Sequence, residues 1–209
     1  MKRLLWILIL SGLVFSQTAE DIVKKAEESL KKLQSYQARF EQIYVSNTVS
    51  IPLEEKGRLL FQKPDRMKWV YEEPEEKVFL TKDGSFEFYV PEDKQMIRGV
   101  IQDEGHEGEI LFIISGQKSI LESYWVEISG SASENQNNYQ LRLTPKTEEY
   151  YAYLLLDFDK DDLLLKRIVL FDWAGNKTET SFSRIRTNIR FSKKDFQLDV
   201  PADVEIIEY

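Results

Sequence analysis

Between Gly57 and Pro91 apolar and polar residues alternate so regularly that the chain is best accommodated by antiparallel strands. Gly57, Leu59 and Phe61 fall on one side of an extended segment, with Arg58, Leu60 and Gln62 on the other. Pro64-Asp65 then signals a turn, because proline presets φ and aspartate tolerates turn conformations. Beyond it Met67, Trp69 and Tyr71 share a side, while Arg66, Lys68 and Val70 take the opposite one. Successive side chains of a strand point to opposite faces, so these two strands present one large aromatic face. Asp83-Gly84, between Lys77–Lys82 and Ser85–Val90, predicts a second hairpin. The face carrying Leu59, Phe61, Met67, Trp69 and Tyr71 must be covered by something.

One other segment is suited to covering it. Thr18–Ser35 reads as an amphipathic helix, with Thr18 as its cap and Asp21 at capping-box distance. Ile22, Ala26, Leu30 and Leu33 form one stripe of it. Ile110–Ile114 is apolar all round and too short to assign by period; a short buried helix and a buried strand both fit it. The remaining pattern is β. Tyr36–Val45, Lys94–Ile101, Tyr124–Ile128, Tyr139–Thr144, Tyr151–Phe158, Leu163–Asp172 and Lys177–Ile185 are expected strands, separated by polar turns. Ser46–Glu55 and Gln102–Glu109 are expected loops, the second containing His106. Phe196, Val200 and Pro201 begin a short tail.

The N-terminus looks like a leader. Met1-Lys2-Arg3 is basic, and Leu4–Phe15 is an apolar run shorter than a bilayer-spanning helix. Small residues near Ser16 place a cleavage after that residue, so an exported domain over 17–209 is expected.

Composition excludes several kinds of chemistry. With no cysteine and one histidine, the chain has no disulfides, thiolate metal sites or cysteine nucleophiles, and one copy cannot supply a multi-histidine metal centre. The net charge of -8 disfavours nucleic acid as a partner. Asp157-Phe158-Asp159-Lys160-Asp161 spaces carboxylates like the start of a calcium loop, but Asp162 stands where the glycine belongs and Ile168 where the bidentate glutamate belongs. An acidic turn is the expectation there. The carboxylates of Glu72-Glu73-Pro74-Glu75-Glu76 and Asp103-Glu104 read as solvated loops. No catalytic group, metal or cofactor is expected.

Several segments, taken in order, resemble the outer-membrane lipoprotein carrier family, the LolA chaperones. These are Lys63-Pro64, Trp69, Pro74, Asp83-Gly84 and Phe88-Tyr89-x-Pro91; then Leu143-Thr144-Pro145-Lys146; then Asp172–Phe182 with Gly175-Asn176 and Thr178, followed by Asn188, Phe196 and Pro201. The resemblance implies a mainly β fold: an unclosed, strongly curved antiparallel half-barrel with an α-helical lid over a hydrophobic cavity. It implies a periplasmic, monomeric chaperone that takes acylated lipoproteins released by an inner-membrane ABC transporter to the outer membrane, and to an acceptor there where one exists. The related outer-membrane receptor is itself lipid-anchored through a cysteine, which this chain lacks. On this resemblance the acyl-chain cavity is Phe40, Leu59, Phe61, Met67, Trp69, Tyr71, Val78, Leu80, Phe86 and Phe88. The lid is Ile22, Ala26, Leu30, Leu111 and Ile114. Family members often carry an arginine before the first hairpin's proline, as a latch on the lid backbone; here Lys63 stands in that place, with Arg66 as the alternate. A sensing or lipid-binding module of the same fold, without a transport role, is the competing reading.

Overall fold

The computed structural model describes residues 17–49, 51–100, 106–116, 119–129 and 137–208. The expected leader over 1–16 lies outside them.

The first helix, α1 (Ala19–Lys32), begins where the cap predicts. The Asp21 N–H donates to Thr18 Oγ1 at 3.1 Å, and the Thr18 N–H returns a bond to Asp21 Oδ2 at 3.3 Å. Glu20 and Asp21 lie in its first turn and Lys31 and Lys32 in its last, each charge suited to the helix dipole. The helix stops at Lys32 rather than Ser35, because Ser35 already pairs with Gln62 in the sheet.

From there the chain is a meander: β1 (Ser35–Val45), β2 (Leu53–Gln62), β3 (Arg66–Glu73), β4 (Lys77–Lys82), β5 (Ser85–Val90) and β6 (Gln95–Val100). Two helices follow, α2 (His106–Ser115) and α3 (Ile120–Ser123). The second half is β7 (Tyr124–Ile128), β8 (Asn138–Pro145), β9 (Tyr151–Asp159), β10 (Leu165–Asp172) and β11 (Lys177–Thr187). A 3₁₀ turn at Lys193–Phe196 and a short β12 (Glu205–Glu208) end the chain.

The twelve strands of the described residues join one curved sheet, in the order β12-β6-β5-β4-β3-β2-β1-β11-β10-β9-β8-β7. Its two edges, β12 and β7, do not meet, so the barrel stays open. Every pairing is antiparallel except that of β12 with β6. The β4–β5 hairpin closes on Asp83 (φ 52°) and Gly84 (φ 75°), the positive pair that a two-residue loop matching strand twist requires.

Two expectations are corrected. β2 begins at Leu53, inside the expected loop Ser46–Glu55, because Glu54, Glu55 and Lys56 pair with Ile43, Gln42 and Glu41. Helix α2 starts at His106, inside the expected loop, so Ile110–Ile114 is helical. The expected short tail crosses the convex face, where Phe196 buries against Leu60 and Leu80, before β12 adds to the sheet edge.

The main core fills the concave side. It runs from Tyr36, Phe40, Phe61 and Trp69 on the first strands to Phe182, Ile168, Leu156 and Leu141 on the last, under helices α1, α2 and α3. Each large apolar side chain fully buried this way contributes about 1.5–3 kcal/mol.

Candidate functional site

Strand register decides which residues face the concavity. Leu59 lies opposite Trp69, and Phe61 opposite Met67, so the alternation read from sequence places all four on the inner face with Tyr71. Phe40 on β1 pairs with Gly57, whose missing side chain matters: a Cβ there would sit 2.0 Å from the Val70 carbonyl oxygen and 2.8 Å from the Phe40 ring. The ring occupies that space and meets Trp69 at 4.7 Å and Tyr71 at 5.0 Å, both edge-on. Trp69 is 0% exposed, and its Nε1 has no hydrogen-bond partner among the described residues.

The cover over this half is helical. Ile22, Ala26 and Leu30 of α1 and Ile114 of α2 are buried in the same cluster, joined by Ile110 and Ile113; Leu111 is only partly buried at its edge. Polar contacts fasten each piece. Lys63, at the end of β2, donates from Nζ to the carbonyls of Lys31 (2.8 Å) and Leu30 (3.2 Å) in the last turn of α1. Partial burial holds its ammonium below the usual lysine range. Arg66 pairs with Gln62 on the convex side and faces away from α1. Glu27 of α1 accepts from the Ile120 N–H (2.6 Å) and Ser119 Oγ (3.1 Å), capping α3. Tyr124 donates to Glu109 of α2 at 2.6 Å and lies 2.6 Å from the Tyr151 hydroxyl. Burial first, and then the Glu109 carboxylate, push both phenols well above the usual tyrosine range. Nothing in local sequence pattern singled out Glu27 or Glu109; both lie among other charged residues.

The other half of the concave face is open. Phe79 pairs with both Trp69 and Phe88, and Phe88 with Ile97, so Phe79, Phe86, Phe88 and Ile97 continue the inner face beyond the helices. With Tyr71 and a polar end of Gln42, Glu55 and Lys77 they line a cavity of about 490 Å³. That lies within the range of about 300–1,000 Å³ for small-molecule sites.

Phe86 and Phe88 therefore sit where expected, whereas Val78 and Leu80 do not. Val78 pairs with Val70, and Leu80 with Lys68, both outward-facing positions; Leu80 packs under the tail at Phe196. The run Val78-Phe79-Leu80 is apolar at three successive positions, so alternation alone left its face ambiguous, and the inward residue is Phe79. Phe79 and Ile97 belong on the cavity wall and were missed.

Comparison with known proteins agrees with this architecture. The sequence model of the outer membrane lipoprotein carrier protein LolA matches residues 31–199. An outer-membrane lipoprotein carrier protein of Methylococcus capsulatus is 27% identical over 197 residues, covering 93% of this chain and 91% of its own. One from Legionella pneumophila is 24% identical over 210 residues, covering both chains fully at 100%. Among solved structures, an uncharacterized conserved protein of Thermus thermophilus superposes with a TM-score of 0.59 at 13% identity, covering 91% of this chain and 99% of its own. A LolA superfamily protein of Nitrosomonas europaea gives 0.50 at 15%, covering 88% and 99%. These two likenesses concern the fold; the sequence match, which spans most of the chain, settles the family. The chain belongs to the LolA family of outer membrane lipoprotein carrier proteins.

Proposed function

We infer that this protein is a periplasmic carrier that holds the acyl chains of lipoproteins against its concave face and makes no covalent change to them. Family membership supports the class of activity. The observation that carries the reading is a single apolar face, half covered by helices and half open as a cavity.

Burial of a lipid chain contributes about 0.8 kcal/mol per methylene, so roughly a dozen methylenes give on the order of 10 kcal/mol gross. A carrier must also let go. Ile22, Leu30 and Ile114 occupy the very surface that Trp69 and its neighbours offer, so the helices compete with cargo for it. The open half takes the first part of a chain, and longer chains reach Trp69 only as the helices lift. Lys63, Glu27 and Glu109 favour the return to the covered state, which helps expel the cargo.

In this account residues 1–16 are an export signal, an inner-membrane ABC transporter supplies the lipoprotein, and the outer membrane or an acceptor on it receives the cargo from a monomeric carrier. The test is transfer of a purified acylated lipoprotein. The protein should form a soluble complex with it, should ignore the same polypeptide without acyl chains, and should pass it to outer-membrane vesicles. Equal binding of the acylated and unacylated forms would refute the reading.

A further inference from the structure

The cavity's polar end is out of character with its walls. Glu55 is 8% exposed, yet it is ionisable and points into an aromatic concavity. It forms a close ion pair with Lys77, whose Nζ also lies 4.5 Å from the centre of the Tyr71 ring. Gln42 Nε2 donates to the other Glu55 oxygen at 3.2 Å, and Thr180 Oγ1 donates to Gln42 Oε1 at 3.2 Å. The chain Thr180–Gln42–Glu55–Lys77 thus crosses β11, β1, β2 and β4 along one end of the cavity.

Stability does not account for it. Desolvating two charges offsets much of their attraction, and apolar replacements of similar volume are often neutral or stabilising. Position offers a better account. Inward from this belt lie Phe40 and Gly57, then the buried aromatic cluster; outward on the same face come Tyr44 and Leu53, both exposed. The belt therefore stands where the apolar wall gives way to solvent.

We propose that Gln42, Glu55 and Lys77 form a subsite for the polar junction of a lipid-modified polypeptide, the place where acyl carbonyls meet the first backbone amides. This rests on the carrier reading above and adds to it a means of setting how deep the cargo sits. The chemistry is complementary on both sides. The lysine ammonium has three N–H donors, suited to ester and amide carbonyls, and the glutamate carboxylate accepts from backbone N–H groups. Charge-assisted bonds of this kind are about twice as strong as neutral ones. The acyl chains run from the belt along Phe79, Phe86 and Phe88, and the polypeptide leaves past Tyr44 and Leu53.

The experiment compares two probes on the full mature chain: a fluorescent long-chain fatty acid, and a diacylated lipopeptide carrying a few residues of polypeptide. Wild-type protein should bind both, and only the lipopeptide should slow hydrogen exchange at the β1 and β2 amides around Gln42 and Glu55. In the double variant Glu55→Gln/Lys77→Met, which leaves no lone buried charge, preference for lipopeptide over fatty acid should fall about tenfold or more. A thermal melt checks that the variant is folded; should it not be, the wild-type exchange pattern decides alone. An unchanged preference in the folded variant, or no lipopeptide-specific protection in wild type, overturns the subsite and leaves the carrier reading standing. A phospholipid that gives the same protection reassigns the belt to a lipid headgroup and overturns the proposal too. Failure of wild type to bind either probe overturns the carrier reading itself.

Discussion

Replacing Lys63 by leucine removes one side chain and two contacts, the bonds from Nζ to the Lys31 carbonyl at 2.8 Å and the Leu30 carbonyl at 3.2 Å. These carbonyls belong to the last turn of α1, where the helix supplies no i+4 partner. The Leu30 oxygen keeps the Leu33 N–H at 3.1 Å, so the loss falls mainly on Lys31. A bond from a charged donor is worth about 1.5–3 kcal/mol, and a cation at a helix C-terminus adds about 0.3–1 kcal/mol. The Lys31 bond is solvent-exposed, which argues for the low end, a total of about 1.5–2 kcal/mol. That shifts the lid equilibrium toward open by roughly ten- to thirtyfold. The backbone bond from the Lys63 N–H to the Gln34 carbonyl at 3.0 Å survives, so the hairpin itself should stay in place. Hydrogen exchange of the α1 amides should accelerate by that factor, and the variant should accept lipoprotein but pass it on more slowly. Lys63→Arg should be neutral or tighten the lid, since the guanidinium offers a planar fork of donors. Normal α1 exchange together with normal transfer in Lys63→Leu would refute this reasoning.

Four further outcomes are expected. Phe88→Glu puts a charge in the open half of the cavity while sparing the covered core; acylated peptide binding should be lost with the melting temperature nearly kept, as read by calorimetry. Trp69→Glu, by contrast, should unfold the empty protein, because Trp69 is packed under the helices; circular dichroism distinguishes the two variants. Gly57→Ala should cost about 1–3 kcal/mol or more in urea unfolding, because its Cβ meets the Val70 carbonyl and Phe40. Glu72 accepts from Arg58 Nε at 2.6 Å and from Arg39; burial pushes its carboxyl up, but the two arginines outweigh that and hold it below the usual range. Its contribution is present above the unfolded value of about 4.3 and is lost as pH falls through the folded one, so Glu72→Gln should flatten the acid limb of a stability curve.

Strict alternation made the inner face of β2 and β3 readable, and a capping box made the start of α1 readable, because both signals are local. The face of β4 was not, since Val78, Phe79 and Leu80 are all apolar and only pairing with Val70 and Trp69 chooses among them. The state of Ile110–Ile114 depended on docking against the sheet rather than on any period of its own. The pairing of β12 with β6 joins segments more than a hundred residues apart and leaves no mark in either. A contact between Lys63 and the α1 backbone was legible only through the family resemblance, whereas Glu27, Glu109 and the Glu55–Lys77 pair draw their meaning from burial.

The central claim is that one concave face serves both the lid and the cargo. Hydrogen exchange over α1 and α2, measured with and without a diacylated lipoprotein, tests it most directly. Loading should speed exchange in both helices while slowing it in β4 to β6. Helices that become more protected on loading would contradict the claim, because cargo and lid would then occupy different surfaces.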